Sequence, residues 1–245
     1  MMIRSIDSTH LHLQVRSLLL QEIIQGEFAT LDMLPTEMEL CERLGVSRTT
    51  LRHAVTALEQ EGYLRRRQGK GTIIDRNVCA MTARFDLNAE FSDLLRDLGY
   101  TPRVQFLASE EEPADPERAR LLKVSENSPL LSINKLWLAD EKPAIWCVDS
   151  IPTSLINKPY SDELLREDIF FFLRETGGHV VSYLIANLFP RRLGEELGQL
   201  MGIDANEPVI ASNAIGYNPN GLPVLYTSEV YAPGIVTHSV LRAKI

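Results

Sequence analysis

Residues 45–55 read GVSRTTLRHAV, and their reading decides the fold of the first part of the chain. Leu51, Ala54, Val55 and Leu58 recur at the i, i+3, i+4, i+7 spacing of a helix buried along one face. At about 100° per residue the opposite face carries Thr49, Arg52, His53 and Thr56, with Arg48 at its edge near the helix start. A solvated face would look the same, so the neighbouring segments have to decide what these polar residues are for.

Upstream, LPTEMELCERLG at 34–45 places Pro35 before Thr36, with Glu39 three residues on. That is a capping box, which predicts a short helix burying Leu40, Cys41 and Leu44 and ending at Gly45. Ser47 is positioned to cap the next helix, so only Gly45 and Val46 separate that cap from the helix before it, the spacing of a helix-turn-helix. An earlier helix over His10–Gln25 buries Leu11, Val15, Leu18, Leu19 and Ile23, and Gly26 stands where a cap belongs. Downstream, YLRRRQGKGTIID at 63–75 predicts two short strands joined at Gln68, Gly69, Lys70 and Gly71. The Gly-Lys-Gly tip follows a helix and enters a strand, which is the wrong context for a dinucleotide loop. It reads as a plain hairpin or, behind a helix-turn-helix, as a wing.

Charge sharpens the choice. The 245 residues carry a net charge of −8. Residues 1–76 hold ten Lys/Arg and ten Asp/Glu, leaving 15 against 23 for the remainder. From Arg43 to Lys70 seven basic residues face only Glu59 and Glu61, a basic segment on an acidic body and the electrostatic footprint of DNA binding. No apolar run approaches membrane-spanning length and the amino terminus lacks a signal-peptide core, so a cytoplasmic protein with no membrane partner is expected. Cys41, Cys79 and Cys147 are widely spaced and suggest neither disulfides nor a zinc knuckle. The five histidines form no metal-binding spacing, and neither a metal nor a cofactor is expected.

With cap, turn, helix and hairpin in this order, the stretch from Leu34 to Ile74 resembles the DNA-binding domain of the GntR family of bacterial regulators. The resemblance implies a winged helix in which Arg48, Thr49 and Arg52 contact DNA together with Gln68, Gly69 and Lys70 of the wing. Met38 stands where the family often has arginine. The chemistry agrees: Arg48 and Arg52 can each bind guanine O6 and N7 in the major groove, for about 1–3 kcal/mol of discrimination per good pair. Thr49, Thr50 and the amides at the helix start suit phosphate oxygens. His53 and Gly71 complete the candidate surface.

The rest of the chain mixes short helices and strands, predicting an α+β class with an antiparallel sheet. The expected division is a winged helix-turn-helix over 1–75, a connector over 76–83 and an effector-binding domain over 84–245. Within the last, a helix is expected from Asn88, a solvated acidic turn at EEEPADPE (110–117), hairpins turning at Ala139–Lys142 and Asn218–Gly221, a strand at His179–Leu188 and a helix at Pro190–Met201. These features resemble, more diffusely, the UTRA effector domain of the HutC branch, a fold shared with chorismate lyase. That resemblance implies a small-molecule pocket over the sheet. The function expected is a repressor released from operator DNA by a metabolite and acting as a homodimer, because one recognition helix reads only a few base pairs and two-fold symmetry doubles the site.

Eight residues are candidates for the pocket. Phe91 and Ser92 lie near a helix start, where unpaired amides favour an anion such as a sugar phosphate or phosphonate, although Phe91 also fits a core stripe. Asn134 and Lys135 occupy a strand in which relatives often carry arginines. Asp149 and Glu229 are acids in apolar strands, suited to ligand amines or hydroxyls or to a structural ion pair with Lys135. Trp146 and Tyr231, like Trp137, are aromatics of a kind more often found in a core or an interface. Asp149 and Glu229 could also be an acid/base pair in an enzyme, but no nucleophile motif, catalytic triad order or metal set accompanies them. The reading is therefore a regulator and not an enzyme.

Overall fold

A computed structural model describes residues 8–81, 84–87 and 90–242, and the chain divides into two compact units, Met1–Leu87 with Ser239–Ile245, and Asn88–His238. In the first unit α1 (Ser8–Ile24) buries Val15, Leu19 and Ile23. Gly26 follows it without a left-handed turn; a Cβ there would lie 2.7 Å from the Glu22 Cα, so glycine is required by close approach. Helix α2 (Glu37–Leu44) has the full capping box: the Glu39 amide donates to Thr36 Oγ1 at 3.3 Å and the Thr36 amide to Glu39 Oε2 at 2.8 Å. Gly45 ends it at φ 64°, a left-handed position that costs glycine little.

Ser47 then caps α3 (Arg48–Gln60), accepting from the Thr50 amide at 3.2 Å. Leu51, Ala54 and Leu58 are wholly buried, and each such leucine contributes roughly 1.5–3 kcal/mol through burial. Arg16 of α1 holds Glu61, just past α3, through two 2.6 Å hydrogen bonds, fixing how the two helices meet. Strands β1 (Leu64–Arg67) and β2 (Gly71–Ile74) form an antiparallel hairpin, and Met33 bridges to Ile73 as a third edge. Within the stretch expected as a connector, Arg76–Cys79 form a short helix, α4, capped by Asp75.

The second unit is built on one six-stranded antiparallel sheet. In chain order come α5 (Phe91–Asp97), β3 (Pro102–Pro113), α6 (Pro116–Leu122), β4 (Pro129–Ala139), β5 (Lys142–Pro152), α7 (Ile169–Gly177), β6 (Tyr183–Arg192), α8 (Glu195–Met201), β7 (Pro208–Tyr217) and β8 (Pro223–Tyr231). The sheet order is β3-β4-β5-β8-β7-β6. One face packs Leu131, Ile133, Ile151 and Leu225 against Ile169, Phe172 and Leu173 of α7. The other packs Leu136, Leu138 and Val230 against Leu193 and Met201, and Leu130 against Ala119 and Leu122 of α6.

Both expected hairpin turns are present. Asp140 and Glu141 take φ 46° and 69°, the tight turn whose twist matches paired strands, and Asn218 Oδ1 accepts from the Asn220 and Leu222 amides at 3.0 Å. Two expectations change. Glu110–Glu112 continue β3, paired with Ser132, Leu131 and Leu130, and are not a turn. Pro190–Arg192 belong to β6, because Pro190 sits on an edge strand where its missing amide leaves no ladder bond unmade, and α8 starts only at Glu195. The helix start expected at Asn88 lies outside the described residues; α5 begins at Phe91.

Candidate nucleic-acid interface and ligand pocket

The first turn of α3 places Arg48, Thr49, Arg52 and His53 outward while Leu51 is buried. Thr50 is half-buried, its hydroxyl 2.9 Å from Ser47 Oγ, so it stiffens the helix start while its amide is spent on the cap. Arg48 is exposed and has no ion-pair partner among the described residues. Arg52 differs: its Nε donates to Glu37 Oε2 of α2 at 2.8 Å. His53 lies edge-on to His12 of α1, with ring centroids 5.9 Å apart; the side chain of His10 lies outside the described residues.

The wing tip turns through the Lys70 amide donating to the Arg67 carbonyl at 2.9 Å, with Gly69 and Gly71 at φ 76° and 94°. Gln68, Gly69, Lys70 and Gly71 are exposed. Of the three consecutive arginines, Arg65 pairs with Asp75 and Arg66 with Glu59, while Arg67 faces solvent. Met38 is 56% exposed on α2. Together, the start of α3 and the tip of the β1–β2 hairpin give the first unit two basic projections of the kind that enter a groove and touch its phosphates.

In the second unit, Phe91, Lys135, Asp149 and Glu229 line one small open hollow, with a cavity volume of about 20 Å³, over the sheet face that α7 covers. Register explains the grouping. Lys135, Cys147, Glu229 and Ser212 form one row across β4, β5, β8 and β7, and Asp149 pairs with Thr227 in the next. Alternation gives every second residue of a strand the same face. The same alternation corrects two expectations: Asn134 and Trp146 point to the opposite face, that of Leu136 and Leu138, and do not line the hollow. Ser92 does not line it either, and the seven-residue α5 begins after Glu90, an acid that works against an anion there.

Tyr231 supports the hollow from its floor, its hydroxyl donating to Glu229 Oε2 while Phe91 packs edge-on at 6.3 Å. Thr227 Oγ1 stands 3.4 Å from Glu229 Oε1. Lys135 Nζ donates to the Glu167 carbonyl, and Asp168 caps α7, Oδ1 accepting from the Phe170 amide at 2.7 Å. Burial pushes Asp149 up to about 6, against the opposing pull of Lys135, and Glu229 up to about 7, against its Tyr231 hydrogen bond. Burial likewise raises Asp168. Cys147, Asp168 and Thr227 line the hollow without having been singled out for it in the sequence, and Trp137, weighed there mainly as a core aromatic, lines it too. Their signal was present: Trp137 and Cys147 stand two residues from Lys135 and Asp149, hence on the same face, and Asp168 precedes the apolar run of α7 as a cap.

A winged helix carrying a basic recognition face, in one chain with a sheet domain hollowed by buried polar groups, defines a DNA-binding regulator with a ligand-sensing domain. The comparisons agree. Residues 11–74 match the bacterial regulatory proteins of the gntR family and residues 97–234 match the UTRA domain; the chain belongs to the gntR family, in its UTRA-bearing, HutC-like branch, and is a transcriptional regulator and not an enzyme.

Among relatives, the uncharacterized HTH-type transcriptional regulator YurK of Bacillus subtilis is 30% identical over 63% of each chain, so that match spans less than two thirds of the relative. The HTH-type transcriptional repressor NagR of B. subtilis is 24% identical over 90% of each chain. The mannosyl-D-glycerate transport/metabolism system repressor MngR of Escherichia coli is 23% identical over 90% of this chain and 91% of its own. The crystal structure of the possible transcriptional regulator YydK of B. subtilis shares the fold at a TM-score of 0.76, with 19% identity over 95% of this chain and 99% of that one. No described helix is long and apolar enough to cross a membrane.

Proposed function

We propose that the protein is a repressor that binds a two-fold operator as a dimer and leaves it when a small metabolite occupies the hollow over the sheet. The observation that carries this reading is the separation of tasks: Arg48 and the wing tip project from one compact unit, while the solvent-reachable hollow lined by Lys135, Asp149 and Glu229 lies in another. One recognition helix reads only a few base pairs, and a second copy doubles the site. Strand β6, at the sheet's edge, exposes Ile185 and Phe189 on one face and Leu188 on the other, an edge with apolar side chains that a second copy would cover.

Relatives named as repressors of mannosyl-D-glycerate metabolism, fructoselysine utilization and histidine utilization support control by a small metabolite. Arg48, Thr49, Arg52 and Lys70 are assigned to DNA, and Lys135, Asp149, Glu229 and Tyr231 to the metabolite or its immediate support. Operator selection from random DNA followed by footprinting tests the arrangement. Protection of two half-sites about one helical turn apart is expected, whereas protection of a single asymmetric site by one monomer would reject it.

A further inference from the structure

The hollow's charge is out of balance. Asp149, Asp168 and Glu229 line it with three carboxyl groups, and Lys135 is its single basic lining residue. The Lys135 ammonium already donates to the Glu167 carbonyl, and no arginine lines the hollow. A second observation concerns Trp137. Trp137 lines the hollow, its side chain only 7% exposed, yet its indole N–H has no oxygen or nitrogen partner among the described residues and only the Cys147 thiol beside it. A buried donor left this way is costly unless something accepts from it.

Resting on the regulator reading above, we propose that the effector carries an ammonium group, which binds between Asp149 and Glu229 beside the Trp137 ring. The ammonium supplies the positive charge the hollow lacks, and the faces of Phe91 and Trp137, whose rings meet edge-on at 5.9 Å, suit a cation as well as an apolar stem. A phosphate or phosphonate would instead bring two more negative charges to three carboxyl groups.

Proton linkage follows from the same geometry. The groups facing Asp149 and Glu229 are Lys135 from β4, Cys147 from β5, Thr227 and Tyr231 from β8, Ser212 from β7 and Asp168 at the start of α7; Asp93 and Glu90 of the α5 start act on Asp168 and on each other, and His238 lies against Tyr231. Burial raises the two acids to about 6 and about 7. An arriving ammonium favours their ionised forms and expels protons, so its binding strengthens as pH rises from 5 to 7; an anion would show the opposite slope.

The test uses the full chain and a cellular metabolite extract divided on a cation exchanger at low pH into a retained, amine-bearing fraction and a flow-through fraction. Each is assayed for a rise in melting temperature and for release of selected operator DNA, and the active fraction is titrated at pH 5, 6 and 7. The expected result is activity in the amine-bearing fraction, tightening up to about tenfold per pH unit for each proton released, with Asp149→Asn and Glu229→Gln abolishing the shift. Activity confined to the flow-through, or binding that weakens as pH rises, overturns the ammonium while leaving the regulator intact. Release of DNA by neither fraction overturns the regulator reading and the inference with it. The pH slope is read on the unaltered protein, so a variant that fails to fold does not blunt the test.

Discussion

Arg52 Nε donates to Glu37 Oε2 at 2.8 Å, joining the recognition helix to the helix before it. The arginine side chain is 62% exposed and the glutamate 37% exposed, so the pair is worth at most about 1 kcal/mol. That is little enough for DNA to compete. A guanine edge offers Arg52 two acceptors, and Glu37, left behind, would repel nearby phosphates. Arg48 needs no such release.

Arg48→Ala is therefore expected to weaken binding to the selected operator by about 1–3 kcal/mol while changing binding to random DNA much less. Lys70→Ala should weaken both and lower the salt slope by about one. Fluorescence anisotropy over a salt series reads both; equal losses on both DNAs for Arg48→Ala would remove its base-reading role.

Glu37→Gln should tighten binding to any DNA severalfold, since it frees Arg52 and deletes a negative charge from the approaching surface. An unchanged affinity on random DNA would place Glu37 away from the duplex.

Leu51→Ala removes a wholly buried side chain at the centre of the winged-helix core and should cost about 2–5 kcal/mol of that unit's stability. Hydrogen exchange would show the loss in α1 and α3, with the sheet unit unaffected. Protection unchanged from the parent protein would mean the site collapses to fill the cavity.

The empty sheet unit should grow less stable as pH rises through the range from about 5 to about 7. Asp149 and Glu229 have folded-state values raised to about 6 and about 7, so the native state binds more protons than the unfolded chain in this range and stability falls with pH. Glu112 and Asp115 are held below their ordinary values and lose their contribution only in more acid solution. Denaturant titrations should show a decline of about 1–3 kcal/mol, flattened in Asp149→Asn. A flat profile in the unaltered protein would contradict the burial of charge argued here.

The first unit was legible because its signals are local. Thr36 with Glu39, Gly45, Ser47 and the Leu51–Leu58 stripe each act within one or two helical turns, and each formed the element it predicts. The hollow was only half legible, because its residues meet across four strands. Asp149 and Glu229 stood out as acids in apolar strands, and alternation alone puts Trp137 and Cys147 on their strands' hollow face and Asn134 and Trp146 on the other; what it leaves open is the β4–β5 pairing that sets Lys135 beside Cys147. A bulge between Trp137 and Leu138 shifts that pairing, and no local motif announces it. The β6 boundary was missed for a related reason: Pro190 reads as a helix start when the edge position of its strand is unknown.

The coupling between hollow and DNA is the central claim, and its most direct measurement is the dissociation constant of the full chain for its selected operator with and without a saturating metabolite that raises its melting temperature. A rise of at least tenfold is predicted, with operator DNA lowering the metabolite's affinity by the same factor, as linkage requires. An operator affinity unchanged by a metabolite bound in the hollow would contradict the account.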